Sequence, residues 1–161
     1  MTIEVSRIQV GDGALLRGAR LAALLDGPSA FAVSYEAEAA HDEGRWETLA
    51  AERSAGRDHA TFFALERDIA VGLVGGHRNG DVAELVSMWT SPAARGQSLG
   101  AKLVEMVIER ADGDAIELWV THGNDRAQRL YERHGFAVTG EVAPLPSDPC
   151  KDELRMRREP I

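Results

Sequence analysis

The sequence contains one cysteine, Cys150, in 161 residues. A disulfide framework needs pairs, and a thiolate zinc cluster needs several ligands, so both are excluded. Cys150 lies in a proline-rich stretch with no histidine after it in the chain, and nothing nearby in sequence activates it as a nucleophile. Long apolar runs are also missing: none approaches the roughly 20 residues that a membrane span requires. The first seven residues, MTIEVSR, lack a signal-peptide pattern, so the expected compartment is the cytoplasm. Basic charge is short, with 18 Lys+Arg against 26 Asp+Glu and a net charge of −8. Nucleic acid and anionic membrane, which both call for a basic surface, are therefore not expected partners. Lysine is confined to Lys102 and Lys151, an arginine excess that reads as genome composition.

Apolar residues are plentiful, at 44%, enough for one sizeable core, and the length suits a single domain over residues 1–161. No repeat, low-complexity tract or linker divides the chain. A short strand is expected at 3–10 and an Ala/Leu/Arg-rich helix at 13–25, stopping before Gly27-Pro28. Residues 29–40 read as loop followed by a helical turn, and 41–54 as a helix with Trp46, Leu49 and Ala50 on one face. Strands follow at 60–66 and 69–76, joined by Arg67-Asp68, with Ile69, Val71 and Leu73 alternating. Asn79-Gly80 marks a hairpin into a strand at 82–90, which ends at Ser91-Pro92. A helix over 97–111 with Leu99, Leu103, Met106 and Val107 inward leads to a strand at 115–121. A polar helix at 124–134 and strands at 136–142 and 153–157 complete the series. The segment 143–151, with Pro144, Pro146 and Pro149, is expected to be a loop. Trp46, Phe62 and Phe63 are expected in the core, and Trp119 in the packing of the sheet. This order implies an α/β domain of the α+β type. Its mixed, mostly antiparallel central sheet has about seven strands, with helices on both faces. Within it, the unit 82–121 makes one right-handed parallel crossover.

Two segments carry chemical signals. Arg95-Gly96-Gln97-Ser98-Leu99-Gly100-Ala101 lies between a strand and a helix. Amides at a helix start are unpaired and partly positive, and glycines let a phosphate approach the backbone, so the segment reads as a phosphate cradle. It lacks the Gly-Lys-Ser/Thr of a Walker loop and the spacing of a dinucleotide fingerprint. An ordinary glycine-containing turn is the plainer reading. The second segment runs from Asn124 to Tyr131 and is followed by Gly135-Phe136. Asn124 is a good N-cap. Tyr131 lies seven residues on, nearly two turns along the same face, where a packed aromatic is the plainer reading.

Taken together, the two segments resemble the GNAT superfamily of N-acetyltransferases. That family carries Q/R-x-x-G-x-G/A at its cofactor loop, matched at its ends by Arg95 and Gly100. It also tends to carry N-x-x-A-x-x-x-Y on a later helix, matched by Asn124, Ala127 and Tyr131. Ser98 departs from the pattern, standing where glycine is usual; its backbone N–H remains available. The motifs cover roughly the second half of the chain, and the element order covers nearly all of it.

The resemblance implies acetyl-CoA as co-substrate, with no metal. The pyrophosphate would rest on the amides of Gly96 to Ala101, and the pantetheine arm would pair with Met88, Trp89 and Thr90. The arm would enter where the parallel strands 82–90 and 115–121 splay apart, with Trp119 beside it. Asn124, Ala127 and Tyr131 would complete the cofactor site, and a backbone N–H near Met88 would polarise the thioester carbonyl. Tyr131 occupies the family's position for the proton donor to the departing thiolate. The implied activity is acetyl transfer to a primary amine by direct attack in a ternary complex. The acceptor is a small molecule or a protein amine, and a homodimer is one possible assembly. A non-catalytic acyl-CoA-binding sensor is the alternative.

Glu84 is the candidate base. It sits mid-strand on the face expected to hold Val86 and Met88, and burial among Val82, Val86 and Met88 would raise its pKa toward neutrality. A sheet-edge or substrate-facing glutamate that only orders water is the plainer reading. Glu117 and His122 are secondary candidates. The acidic run Glu36, Glu38, Asp42 and Glu43 reads as a solvated helix face. In the family that region lines the acceptor site, where such acids would select a cationic amine.

Overall fold

Alternating apolar residues form seven strands, and apolar stripes at helical spacing form the helices that cover them. The computed structural model describes residues 2–161. The elements are β1 (Glu4–Arg7), α1 (Gly13–Asp26), α2 (Tyr35–Ala39), α3 (Glu43–Ser54), β2 (His59–Glu66), β3 (Ile69–Asn79), β4 (Val82–Thr90), α4 (Leu99–Ala111), β5 (Ile116–Thr121), α5 (Asp125–Arg133), β6 (Ala137–Leu145) and β7 (Asp148–Arg158). One-turn 3₁₀ helices at Pro28–Ala30 and Pro92–Ala94 lie in the connections. The strands form one open seven-stranded sheet in the order β1-β2-β3-β4-β5-β7-β6. All neighbours are antiparallel except β4 and β5. The expected mixed, mostly antiparallel sheet is therefore present.

Each face of the sheet has its own core. Leu99, Leu103, Val104 and Val107 of α4, with Tyr131 of α5, pack against Val74, Leu85, Ile116, Leu118 and Met156. On the opposite face, Leu16 and Leu24 of α1 and Trp46 and Leu49 of α3 pack against Phe63, Leu73 and Trp89. Trp46, Phe62 and Phe63 are buried, as expected.

The β2–β3 turn falls at Arg67-Asp68, both with positive φ. Asn79 pairs with Val82, so the two-residue loop of the next hairpin is Gly80-Asp81. Gly80 takes φ +67 there, which suits the first loop position of a tight hairpin.

The expected loop at 143–151 is instead strand: β6 runs to Leu145 and β7 starts at Asp148. Pro146 lies in the turn between them, and the other two prolines are tolerated because they fall on open edges. Pro144 is on the edge strand β6, and Pro149 precedes Glu153, where β7 begins to pair with β5.

A bulge in β4 shapes the centre of the sheet. Val86 pairs with Gly75 and Trp89 with Leu73, so two residues of β4, Ser87 and Met88, stand against one of β3. Ser87 takes a left-handed φ of 58° to make the turn. The extra residue inverts the side-chain alternation beyond it. Met88 packs toward the α4 core, while Trp89 joins the α1 core. The expectation that Met88 shares a face with Glu84 and Val86 is thereby corrected.

The parallel ladder between β4 and β5 consists of Ala83↔Ile116 and Glu84↔Glu117 and then stops. β5 continues with β7 from Ile116 to Thr121, and β4 continues with β3 to Thr90. The two strands diverge beyond Glu84, giving the expected splay.

The α1–α3 contact tolerates little added volume. A Cβ on Gly13 would lie 2.9 Å from the Glu47 amide nitrogen. Gly13→Ala is therefore expected to destabilise the protein by about 1–3 kcal/mol, despite the better helix propensity of alanine. A urea titration showing a lower midpoint at unchanged slope is the expected readout. An unchanged midpoint would contradict this packing.

Candidate active site

The strand-to-helix connection after β4 is built to leave amides free. The Pro92–Ala94 turn leads to Arg95 in extended conformation, and Gly96 takes φ +83. Ser98 is the N-cap of α4 in the left-handed region, with φ 58, and its side chain makes no capping hydrogen bond. The helix starts at Leu99, two residues later than the sequence suggests, because Ser98 breaks the helical path. The first-turn amides of Leu99, Gly100 and Ala101 therefore have no side-chain cap and carry the positive end of a 13-residue helix. Gly96, Gln97 and Ser98 are exposed, and a Cβ on Gly96 would meet nothing within 4 Å. Gly100 has a different role. A Cβ there would lie 3.1 Å from Leu130 Cδ2 and 3.5 Å from Met88 Cε, so its lack of a side chain lets α5 close on α4.

Arg95 is held by the Asp26 carboxylate at the end of α1. The same carboxylate accepts a hydrogen bond from Trp89 Nε1 at 3.0 Å. Asp26 thus ties α1 to the end of β4 and to the glycine loop. Sequence reading missed it, because the partners lie 63 and 69 residues apart and no local pattern joins them.

Asn124 caps α5 by accepting from the Ala127 amide at 3.4 Å, which explains the spacing of that pair. Two turns on, the Tyr131 ring packs edge-on against Phe136 at 5.8 Å. Tyr131 is 5% exposed, and burial raises its pKa, so the phenol keeps its proton throughout the neutral range. None of the hydrogen bonds among the described residues uses its hydroxyl. Contact between Leu130 and Gly100 brings the two sequence motifs together.

Glu84 does not sit among apolar side chains as expected. Its Oε1 accepts from Arg155 Nη2 at 2.9 Å, and its Oε2 lies 3.3 Å from His77 Nε2. Arg155 also donates to Glu117 Oε1 at 3.1 Å, and Arg157 lies 3.5 Å from Glu117 Oε2. Trp119 is stacked under the Arg155 guanidinium, 5.0 Å from the ring centre. Burial disfavours the charge on Arg155, but the carboxylates of Glu84 and Glu117 outweigh it and raise its pKa. Strand alternation alone assigned Glu84 its face, and it could not show that β7 delivers a cation to that spot.

His122 is exposed and lines an open cleft of about 690 Å³ at the end of β5, together with Asn124, Asp26 and Cys150. The acidic segment is largely engaged within the protein. Glu38 lies 3.4 Å from Arg20 Nε and 3.3 Å from His41, and Asp42 caps α3 through the Arg45 amide at 2.7 Å. Glu36 and Glu43 are exposed. Among the described residues, no group of three His, Cys, Asp or Glu side chains is placed to hold a metal ion, and no helix is long and apolar enough to cross a membrane.

The comparisons with known proteins agree with this fold. An acetyltransferase of the GNAT family from Streptococcus pneumoniae has a TM-score of 0.79 at 18% identity, with 98% of each chain covered. A putative acetyltransferase from Salmonella typhimurium, solved with its cofactor acetyl-CoA, has a TM-score of 0.76 at 19% identity, over 99% of this chain and 94% of that one. At these identities the likeness is one of fold. A mycothiol acetyltransferase of Beutenbergia cavernae is 37% identical over an alignment that covers 37% of this chain. The match spans 26% of that relative's length. The profile of the acetyltransferase (GNAT) family matches residues 26–136, from the end of α1 to the residue before β6, and on that match the chain belongs to the GNAT acetyltransferase family.

Proposed function

We propose that the protein transfers an acetyl group from acetyl-CoA to a primary amine by direct attack in a ternary complex. The observation that carries this reading is the opening between β4 and β5. It has a bulge at Ser87-Met88 on one wall and the uncapped start of α4 beyond the end of β4. The residues present fit the co-substrate. The free amides from Gly96 to Ala101 suit a pyrophosphate, and the open space at Gly96 lets it approach. Met88, Trp89 and Thr90 border the splay and would hold the pantetheine arm, with Asn124, Ala127 and Tyr131 across from them. Ser98 keeps its amide available in the left-handed conformation, so its replacement of glycine leaves the cradle intact.

Acetyl-CoA supplies an activated acyl carbon. The protein supplies the proton movements and the polarisation. Ser87 and Met88 have no register partner on β3, and the Met88 amide is the proposed donor to the acyl oxygen. Glu84 takes the proton from the attacking amine, directly or through water, with His77 beside its second oxygen. Arg155 holds the carboxylate in place. Tyr131 stays protonated and gives a proton to the sulfur as the C–S bond breaks and the N–C bond forms.

Acetyl-CoA and CoA are each expected to raise thermal stability in a saturable way, by about 2.7 kcal/mol at a hundredfold excess over Kd. No shift with either would remove the cradle and the enzyme reading with it. Tyr131→Phe is expected to lower kcat roughly 100-fold while preserving the acetyl-CoA shift; an unchanged kcat would take the acid role from Tyr131. Glu84→Gln keeps an oxygen for Arg155 but cannot accept a proton. Its deficit should be largest at neutral pH and shrink at high pH, where the amine deprotonates itself. A pH–rate profile that parallels the wild type would show that the base lies elsewhere.

A further inference from the structure

The α1 face of the sheet holds a second cavity, about 140 Å³ in volume, between α1, α3 and strands β2 to β4. Its polar wall consists mainly of Arg20, Arg53, His59 and His77, and no acidic side chain lines it. In a chain of net charge −8, two arginines on one cavity wall with no carboxylate beside them on that wall run against the overall balance. The cations are also under-compensated. Arg20 Nε reaches Glu38 at 3.4 Å, and its guanidinium lies 5.0 Å from the centre of the Phe31 ring. Its Nη1 is buried with no hydrogen-bond partner. Glu38 is itself shared with His41. Burial lowers the pKa of both Arg20 and Arg53, and the Arg20 charge lowers that of Arg53 further; Glu38 opposes the shift at both, and Glu52 at Arg53, without cancelling it. A buried guanidinium N–H without an acceptor is costly to the folded protein.

The position of the cavity connects it to the reaction. Val86 and Ser87 form part of its wall. They immediately precede the amide of Met88 at the bulge. His77, whose Nε2 lies 3.3 Å from Glu84, is another wall residue. An anion lodged on Arg20 and Arg53 would therefore place the rest of its molecule beside the bulge and the proposed base.

We propose that this cavity is the acceptor's anion subsite and that the acceptor is a small amino acid, an amine with a carboxylate a few bonds away. The assignment rests on the acetyltransferase reading and names its substrate class. The planar fork of arginine matches the two oxygens of a carboxylate. The small volume admits a group of a few heavy atoms. The same cations disfavour a purely cationic amine, so selection of such amines by the acidic segment is not the expected behaviour.

The test measures acetyl-CoA-dependent release of CoA with L-amino acids, their matched carboxamides and aminoalkylphosphonates. Beside it runs a thermal-shift titration of the CoA-loaded protein with the same compounds. Amino acids are expected to exceed their carboxamides at least tenfold in kcat/KM and to give the larger thermal shift. In Arg53→Gln the acid-over-amide ratio should collapse through KM. Arg20→Lys keeps the charge but loses the fork, and it should weaken the preference in part, which guards against a misfolded Arg53 variant. Phosphonates matching the acids would widen the subsite to anions of either geometry. Equal use of acids and amides, an unchanged ratio in both variants, or no shift with any anion would overturn the proposal. A shift with amino acids but none with CoA or acetyl-CoA would leave the anion subsite standing and remove the acetyltransferase reading.

Discussion

Arg155 binds Glu84 and Glu117 across the seam between β4 and β5, at the last register pair of the parallel ladder. Without a cation there, two carboxylates would face each other in neighbouring strands, and like charges in that position repel. The clamp closes one end of the seam, so divergence can begin immediately beyond it. Burying these ions costs solvation that their attraction does little more than offset, so the value of the cluster lies in register more than in net stability. Everything proposed for the site depends on that divergence. The opening between the strands, the bulge on its β4 wall and the start of α4 beyond it share one frame because the seam is pinned at Glu84.

The bulge is the second constraint. One extra residue at Ser87–Met88 frees two residues of β4 from the β3 ladder and exchanges the faces of everything after it. Trp89 thereby reaches Asp26, and Asp26 reaches Arg95. The chain of contacts links α1, which covers one face, to the glycine loop at the start of α4, which covers the other. Local strain at Ser87 and Ser98, both non-glycine residues with positive φ, falls at the β4 bulge and at the start of α4.

Much of this was legible in the sequence, for physical reasons that can be named. Strand and helix periods come from side-chain geometry, so the seven strands and the main helices could be read from apolar spacing. The N-cap at Asn124 and the turns at Arg67-Asp68 and near Gly80 are local chemistry, visible in a few residues. The motif residues of the α4 loop and α5 could be singled out because a short segment contains its own reason for being there. The misreading of 143–151 had a local cause too. Proline count argued for a loop, and only the position of Pro144 and Pro149 at open strand edges, with Pro146 in the turn, removed the objection.

Tertiary structure alone decided the rest. No local pattern announces a bulge, so the face of Met88 could not be read from alternation. No spacing joins Glu84 to Arg155, 71 residues away, or Asp26 to Arg95, 69 residues away. The charge surrounding Glu84 and the cations gathered around the cavity under α1 arise because separate elements converge there. Sequence determined what each segment would become, since periodicity and capping act within a few residues. The fold decided which charges meet, because electrostatic environment is set by neighbours in space.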